Sequence, residues 1–191
     1  ELYSLNEDFR MLSILIHHHG IIINLLNLQY ELLDRWDSGW IRIESMDLMW
    51  EKIREGADHV LEGTSGRVDS VCISGPIGTT ADDRVYVATP FPYWPKSDLG
   101  RSITEPLKEM FPEARLVKFI GDGHAAGYAL IKQKPELRSD RRILTIYTSF
   151  GIGGAVFTKG ELDIGMHKVC GTFGHIIVDP NDEEQCPCGG H

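Results

Sequence analysis

The stretch LSILIHHHGIIINLLNL, residues 12–28, decides how the chain begins to fold. Two apolar runs, 12–17 and 21–28, flank a short turn at His18–Gly20. Apolar, β-branched runs on either side of a tight turn predict a β-hairpin. The second run contains two asparagines and is too short to span a membrane.

Helical and extended patterns alternate after this hairpin. We predict a third strand at 29–36, then a helix that begins after the N-cap Ser45 and stops at Gly63. Further strands are predicted at 68–73, 85–88 and 116–120, and further helices at 102–111 and 125–132. This order predicts a mixed α/β domain.

A second hairpin-like pair, 143–148 and 151–158, follows a polar, charged segment that contains Pro135. A hairpin at the start of each half predicts a two-lobed fold. We place a first lobe at 1–135 and the start of a second lobe at 136–191. The second segment is too short to match the first, so the second lobe is predicted to be incomplete.

Composition narrows the functional classes. The 191 residues are 42% hydrophobic and 25% charged, as is typical of globular proteins. A formal net charge of −9, from 28 acidic and 19 basic residues, argues against a DNA-binding surface in this segment. No apolar run of membrane-spanning length and no signal-peptide pattern occurs, and four cysteines are too few for a disulfide scaffold. We therefore expect a cytoplasmic location.

Three groups of motifs resemble the ROK family of repressors, open reading frames and sugar kinases. The most specific is GMHKVCGTFGH at 165–175 with CPCGG at 186–190, which is similar to the family signature and its zinc site. SFGIGG at 149–154 resembles the glycine-rich phosphate loop of the second lobe. The segments 74–78, 88–94 and 121–126 are similar to the sugar-facing loops of the first lobe. The resemblance implies an actin-like (ribonuclease H-like) sugar-kinase fold of two α/β lobes, and a homo-oligomer such as a dimer.

The resemblance also implies a structural zinc ion held by His175, Cys186 and Cys188. Zinc takes four nitrogen or sulfur ligands in tetrahedral geometry. The family's fourth ligand lies beyond this sequence, so His191, a water molecule or no ligand at all remain open for that position. The alternative is that the two cysteines are free thiols in a polar turn.

The residues that handle phosphate in family kinases have been replaced. Such kinases carry an Asp-x-Gly-Gly-Thr-type turn between their first two strands, and the corresponding residues here are 15–20. Leu15 or Ile16 occupies the acidic position, and neither side chain can bind magnesium. Histidines replace the glycines; they either bind a metal or fill the turn, and the opposite directions of adjacent strand residues disfavour joint chelation.

The second phosphate loop is also altered, because Phe150 stands where the family has a hydroxyl residue. Gly151, Gly153 and Gly154 remain as a remnant of that loop. We interpret them as glycines that the turn itself needs.

The sugar site is partly kept. Asp122 matches the family's catalytic base, and here it is either a vestigial base that contacts a ligand hydroxyl or a cap for the following helix. The other predicted ligand-binding residues are Gly75, His124, Thr172 and His175. Three positions depart from the family pattern: Pro90 and Gly121, where asparagines are usual, and Thr172, where a glutamate is usual.

Our hypothesis is the kinase-inactive, sugar-sensing effector domain of a ROK transcriptional regulator. The lead-in Leu5-Asn-Glu-Asp8 resembles that of family regulators, which carry a helix-turn-helix domain upstream. Its partners would be a sugar or a derivative, and DNA only through that upstream domain. One alternative is a ROK sugar kinase of the glucokinase or N-acetylhexosamine kinase type. Another is an oligomerisation module without a small ligand.

Overall fold

The computed structural model describes residues 6, 8–76, 78–79, 85–87, 100–139, 141–149, 151–181 and 186. These residues form two compact units, and the main division between them falls at Ile120/Gly121. Among the helices described, none is long and apolar enough to cross a bilayer.

The strands are β1 (Met11–His17), β2 (Gly20–Leu26), β3 (Leu32–Asp37), β4 (Ser70–Gly75), β5 (Gly78–Thr79), β6 (Val85–Val87), β7 (Leu116–Gly121), β8 (Arg142–Thr148), β9 (Ile152–Thr158) and β10 (Glu161–Asp163). The α-helices are α1 (Met46–Leu61), α2 (Glu105–Met110) and α3 (Asp122–Gln133). A π-helical turn covers Gly100–Thr104, and 3₁₀ turns cover Pro135–Ser139 and Phe173–His175.

A five-stranded sheet in the order β3-β2-β1-β4-β7 forms the first unit. β1 is antiparallel to β2 and parallel to β4, so the predicted hairpin at the start of the chain is confirmed. β2 in turn pairs with β3 in antiparallel register, as the prediction of a third strand requires. Within the described residues, the short strands β5 and β6 pair with each other in a separate two-stranded sheet.

Buried and partly exposed side chains alternate along β1, and the buried ones form part of the core of the first unit. Every second residue of β1 is buried, namely Leu12, Ile14 and Ile16. Helix α1 packs on β2 and β3, and it begins at the predicted N-cap, where Ser45 Oγ accepts a hydrogen bond from Leu48 N–H at 3.1 Å. The local signals at Ser45 and along β1 agree with the tertiary packing.

The second unit is built on the three-stranded antiparallel sheet β10-β9-β8. Helix α3 packs on β8 and β9, around a core of Ile131, Ala155 and Phe157. Gly127 allows this close approach, because a Cβ there would lie 2.8 Å from the Ala155 Cβ. This packing places α3 in the second unit, whereas the predicted lobe boundary falls after residue 135; the assignment of lobes stays a prediction.

Two local predictions differ from the structure. β3 begins at Leu32 rather than residue 29, because the Asn27 Oδ1 accepts hydrogen bonds from the N–H groups of Gln29 and Glu31 and makes a turn. The helix predicted from residue 102 becomes α-helical only at Glu105, since Pro106 has no N–H to donate to the preceding turn. A free cysteine commonly packs in the core as a small apolar residue, but Cys72 is exposed on β4.

Candidate functional site

Asp122 opens helix α3 directly after β7, as predicted for a residue at the end of a strand. One carboxylate oxygen accepts a hydrogen bond from Gly123 N–H at 2.7 Å. Burial raises the pKa of the Asp122 carboxyl, and the hydrogen bonds from the N–H groups of Gly123 and of Asp122 itself oppose this only in part. The side chain is therefore a partly buried acceptor. The N-cap of α3 is Gly121, and no side-chain hydrogen bond caps the helix, so the structure does not support the cap role. The role of Asp122 as a ligand contact stays a prediction.

Glycines let three segments meet beside Asp122. A Cβ on Gly123 would lie 2.6 Å from Gly154 N, so the first turn of α3 lies directly on β9. A Cβ on Gly154 would overlap the carbonyl oxygen of Thr145 and lie 2.7 Å from the Phe173 ring. Gly171 has a φ of +100°, and a Cβ added there would overlap the carbonyl oxygen of Gly154. No larger residue fits at these contacts without moving backbone.

His124 links α3 to the loop that carries the most specific motif. Its Nε2 lies 2.7 Å from the carbonyl oxygen of Cys170. The loop is also closed on itself, because Cys170 N–H donates to Ile164 O at 3.2 Å. Thr172 Oγ1 donates to Val169 O at 2.7 Å, so this predicted ligand contact already serves its own loop.

Two of the predicted zinc ligands are neighbours. Cys186 Sγ lies 3.4 Å from His175 Nδ1. Tetrahedral zinc with bonds of 2.0–2.1 Å to nitrogen and 2.3 Å to sulfur separates two such ligands by about 3.5 Å, so this pair fits zinc. Cys188 and His191 lie outside the described residues. Within the described ranges no group of three or more His, Cys, Asp or Glu side chains is gathered around a metal position.

The remaining predicted residues fall into two groups. Gly75 ends β4 in the first unit, whereas Asp122, His124 and Thr172 belong to the second.

Among the phosphate-loop glycines, only Gly154 is required by packing. No described atom lies within 4 Å of a Cβ at Gly151, and at Gly153 the nearest is an ordinary contact of 3.9 Å. Gly154 is thus required by close packing rather than by the turn, and none of the three glycines has a positive φ.

The turn between β1 and β2, His17–Gly20, is called the histidine turn below. His19 N–H donates to His17 Nδ1 at 3.4 Å, and Ile21 N–H donates to Ser38 Oγ at 2.9 Å. Gly20 has a φ of +149°, and a Cβ there would lie 2.6 Å from the Gly39 carbonyl oxygen. The segment after β3 thus packs tightly against the histidine turn.

Two imidazoles of the histidine turn, those of His17 and His18, have a pKa below the ordinary value of histidine. Burial lowers the pKa of His17, and the nearby carboxylate of Asp37 only partly offsets this effect. Burial also lowers the pKa of His18, and His19 and Arg42 lower it further. A neutral His17 ring can accept the hydrogen bond from His19 N–H. The ring of His19 stacks on Trp40, with centroids 4.5 Å apart.

Replacing Asp122 by asparagine is expected to raise the free energy of unfolding by about 0.5–1 kcal/mol, since an amide still accepts the Gly123 N–H but is buried without charge. The raised pKa means that the folded state holds the proton more tightly than the unfolded state. Wild-type stability should therefore fall as the pH rises above about 4, and Asp122→Asn should lack that fall. Thermal unfolding across this range measures both, and a variant less stable than the wild type at pH 7 would contradict the assignment.

Several site residues were not identified from sequence. The roles of Gly123, Gly171 and the Cys170 carbonyl depend on contacts with distant segments, such as the His124–Cys170 hydrogen bond across 46 positions. One signal was present in the spacing of the glycines in GTFG, at 171–174, where a Cβ at either end would overlap backbone.

Comparison with known proteins places this geometry in a family. Residues 44–191 match the model of the ROK family. Over 94 residues the chain is 33% identical to an N-acetylmannosamine kinase of Vibrio vulnificus, an alignment that covers 49% of this chain and 28% of that enzyme.

Two solved structures share the fold. A ROK family glucokinase from Streptomyces griseus, in complex with glucose and AMPPNP, superposes with a TM-score of 0.75 at 18% identity. The superposition covers 95% of this chain and 54% of the glucokinase chain. A ROK family transcriptional regulator, a homolog of the E. coli MLC protein, superposes with a TM-score of 0.70 at 22% identity. That superposition covers 97% of this chain and 46% of the regulator. The chain thus spans about half the length of each, and its fold is the actin-like α/β fold expected from sequence. This chain belongs to the ROK family.

Proposed function

We propose that this chain is the sugar-sensing effector domain of a ROK transcriptional regulator and that it lacks kinase activity. The histidine turn carries the proposal. In a phosphate-binding turn, backbone N–H groups are free to approach phosphate oxygens. Here the N–H groups of His19 and Ile21 already donate to His17 Nδ1 and Ser38 Oγ.

The same turn offers no acidic ligand for a nucleotide-bound cation. Ile16 is fully buried in the core, and Leu15 is a partly buried hydrocarbon side chain. Magnesium requires oxygen ligands in near-octahedral geometry. A hydrocarbon at the position of the family's acidic residue therefore removes the group that would organise magnesium-ATP.

The second unit keeps groups suited to a sugar. Asp122 and His124 provide hydrogen-bonding side chains at the start of α3. In the proposed protein, sugar binding shifts the conformation of a cytoplasmic homo-oligomer and so controls an upstream DNA-binding domain. The net charge of −9 agrees with DNA being bound by another domain.

Calorimetry with magnesium-ATP and a coupled kinase assay over a hexose panel test this proposal on the whole chain. We expect no nucleotide binding and no turnover, whereas a thermal-shift screen should find a hexose that stabilises the fold at millimolar concentration. Turnover that disappears in Asp122→Asn would refute the proposal. A screen in which no sugar stabilises the protein would instead favour an oligomerisation module.

A ROK sugar kinase of the glucokinase or N-acetylhexosamine kinase type is the second candidate. Its specific support is the Asp122 carboxyl, whose pKa is raised by burial, because a general base works best with a pKa near the working pH. The solved and curated relatives above include a glucokinase and an N-acetylmannosamine kinase. The same kinase assay separates the two candidates.

We also infer that His175 and Cys186 hold a structural zinc ion, with Cys188 as a third ligand. Bound zinc would cross-link the segment after the Phe173–His175 turn and supply no chemistry to a substrate. Metal analysis should find about one zinc per chain, and chelation should lower the melting temperature by about 5 °C. Cys186→Ser should lose the metal, whereas Cys72→Ser, at an exposed thiol on β4, should keep it. Zinc-free protein with an unchanged melting temperature after chelation would rule the site out.

A further inference from the structure

The hydrogen bond from His124 fixes which ring nitrogen carries the proton. A backbone carbonyl oxygen only accepts hydrogen bonds, so Nε2, which lies 2.7 Å from the Cys170 oxygen, must be the donor. In the neutral imidazole the other nitrogen, Nδ1, then carries a lone pair and can only accept. Nδ1 makes no hydrogen bond to any residue that the structure describes.

The space beside Nδ1 is kept open by a glycine. A Cβ placed on Gly121 would lie 3.9 Å from Nδ1, and no other described atom lies within 4 Å of that Cβ position. Any larger side chain at position 121 would extend into this space. The next residue is Asp122, and the His124 ring is close enough to act electrostatically on its carboxyl group. An acceptor nitrogen and a neighbouring carboxylate are therefore both available at the start of α3, and no described side chain at position 121 covers the nitrogen.

The geometry points to His124 as the specificity-determining residue of the ligand site, with Nδ1 accepting a hydrogen bond from a hydroxyl of an unmodified hexose or polyol. An acyl carbonyl or a phosphate offers Nδ1 only lone pairs, so a ligand that presents such a group here is disfavoured. Nε2 has a separate task, because it holds the Gly165–Gly171 loop against α3 through Cys170. This inference rests on the proposed sugar-sensing function and names the ligand group that the site selects.

Two substitutions of His124 test the roles of its two ring nitrogens separately. His124→Gln places an amide N–H about where Nε2 lies, so it can keep the bond to Cys170 while the Nδ1 acceptor is lost. His124→Asn places a polar atom near Nδ1 but is too short to reach the Cys170 carbonyl. Hydrogen exchange over residues 165–172 should remain slow in His124→Gln and become faster in His124→Asn.

The ligand probe is whichever of D-glucose, D-mannose, D-galactose and N-acetyl-D-mannosamine binds most tightly to the wild type at pH 8, together with its deoxyfluoro analogues. Fluorine cannot donate, so replacing the contacted hydroxyl should weaken wild-type binding about tenfold. In His124→Gln the parent sugar should bind about tenfold more weakly, and the same fluorine should have no further effect.

The outcomes separate this inference from the proposed function. If the wild type binds a hexose and His124→Gln binds it equally well, or retains the full fluorine effect, His124 does not select the hydroxyl and only this inference fails. It also fails if N-acetyl-D-mannosamine binds best through its acetyl carbonyl, as shown by an unchanged affinity for every deoxyfluoro analogue. If no sugar in the panel binds the wild type, the inference and the sugar-sensing function fail together.

Discussion

Gly154→Ala is expected to destabilise the second unit by about 3 kcal/mol or more and to lower its melting temperature by roughly 6–12 °C. The added Cβ would overlap the carbonyl oxygen of Thr145 on the neighbouring strand β8 and would lie 2.7 Å from the Phe173 ring. Neither contact is the flexible end of a long side chain. The strand pairing between β8 and β9 would therefore have to shift, and with it the contact between β9 and α3.

Calorimetry and hydrogen exchange over β8 and β9 measure this loss. Gly151→Ala and Gly153→Ala are the matched controls, because a Cβ at either position meets no closer described atom than 3.9 Å away. Both controls should unfold within about 2 °C of the wild type. If all three alanine variants were equally stable, Gly154 would not be a packing glycine. If both controls lost magnesium-ATP binding that the wild type possessed, the loop would be a working phosphate loop.

The architecture of the first unit could be predicted because its signals are local. The β1–β2 hairpin follows from two apolar runs around a short turn, and the start of α1 follows from one N-cap, Ser45. Predictions failed where a side chain competes for backbone groups. Asn27 forms a turn that delays β3, and Pro106 removes a donor that an earlier start of α2 would need.

The candidate site was only half predictable for a related reason. The place of Asp122 at the junction of β7 and α3 follows from local pattern, and the resemblance suggested its role. The hydrogen bonds that define the chemistry join residues far apart in sequence, as His124 does with Cys170 and Ser38 with Ile21. Residue types alone could not indicate that Ser38 occupies the backbone donor that directly follows the histidine turn, or that one nitrogen of His124 is already used.

Asp69→Ala is expected to destabilise the first unit by about 2–3 kcal/mol. The Asp69 side chain is only 2% exposed, and its two oxygens accept from Arg10 N–H at 3.0 Å and from the Arg67 guanidinium at 2.7 Å. The Asp69 backbone also bonds the carbonyl of Arg10 and the N–H of Arg115, so this residue joins the starts of β1, β4 and β7. Alanine would leave the partly buried Arg10 N–H without this acceptor.

The pH dependence of the unfolding free energy tests whether the charge of Asp69 is the source of this stability. Burial alone would raise the pKa of Asp69, but the hydrogen bonds from Arg10 N–H and Arg67, with the charges of Arg67 and Arg115, outweigh it and lower the pKa. The unfolded carboxyl takes up a proton near pH 4, whereas the folded one resists protonation. The stability from Asp69 is thus complete above about pH 4 and is lost as the pH falls through the lower folded value.

Chemical denaturation of the wild type, Asp69→Ala and Asp69→Asn between about pH 2 and pH 7 measures this dependence. Asparagine retains an acceptor for Arg10 N–H but carries no charge, so it should lose less stability than alanine and, like alanine, should lack the decline at low pH. Glu55→Gln is the control, since the Lys52–Glu55 pair lies on the exposed surface of α1 and should contribute little. An acid decline as steep in Asp69→Asn as in the wild type would show that other carboxylates govern the acid stability of this unit.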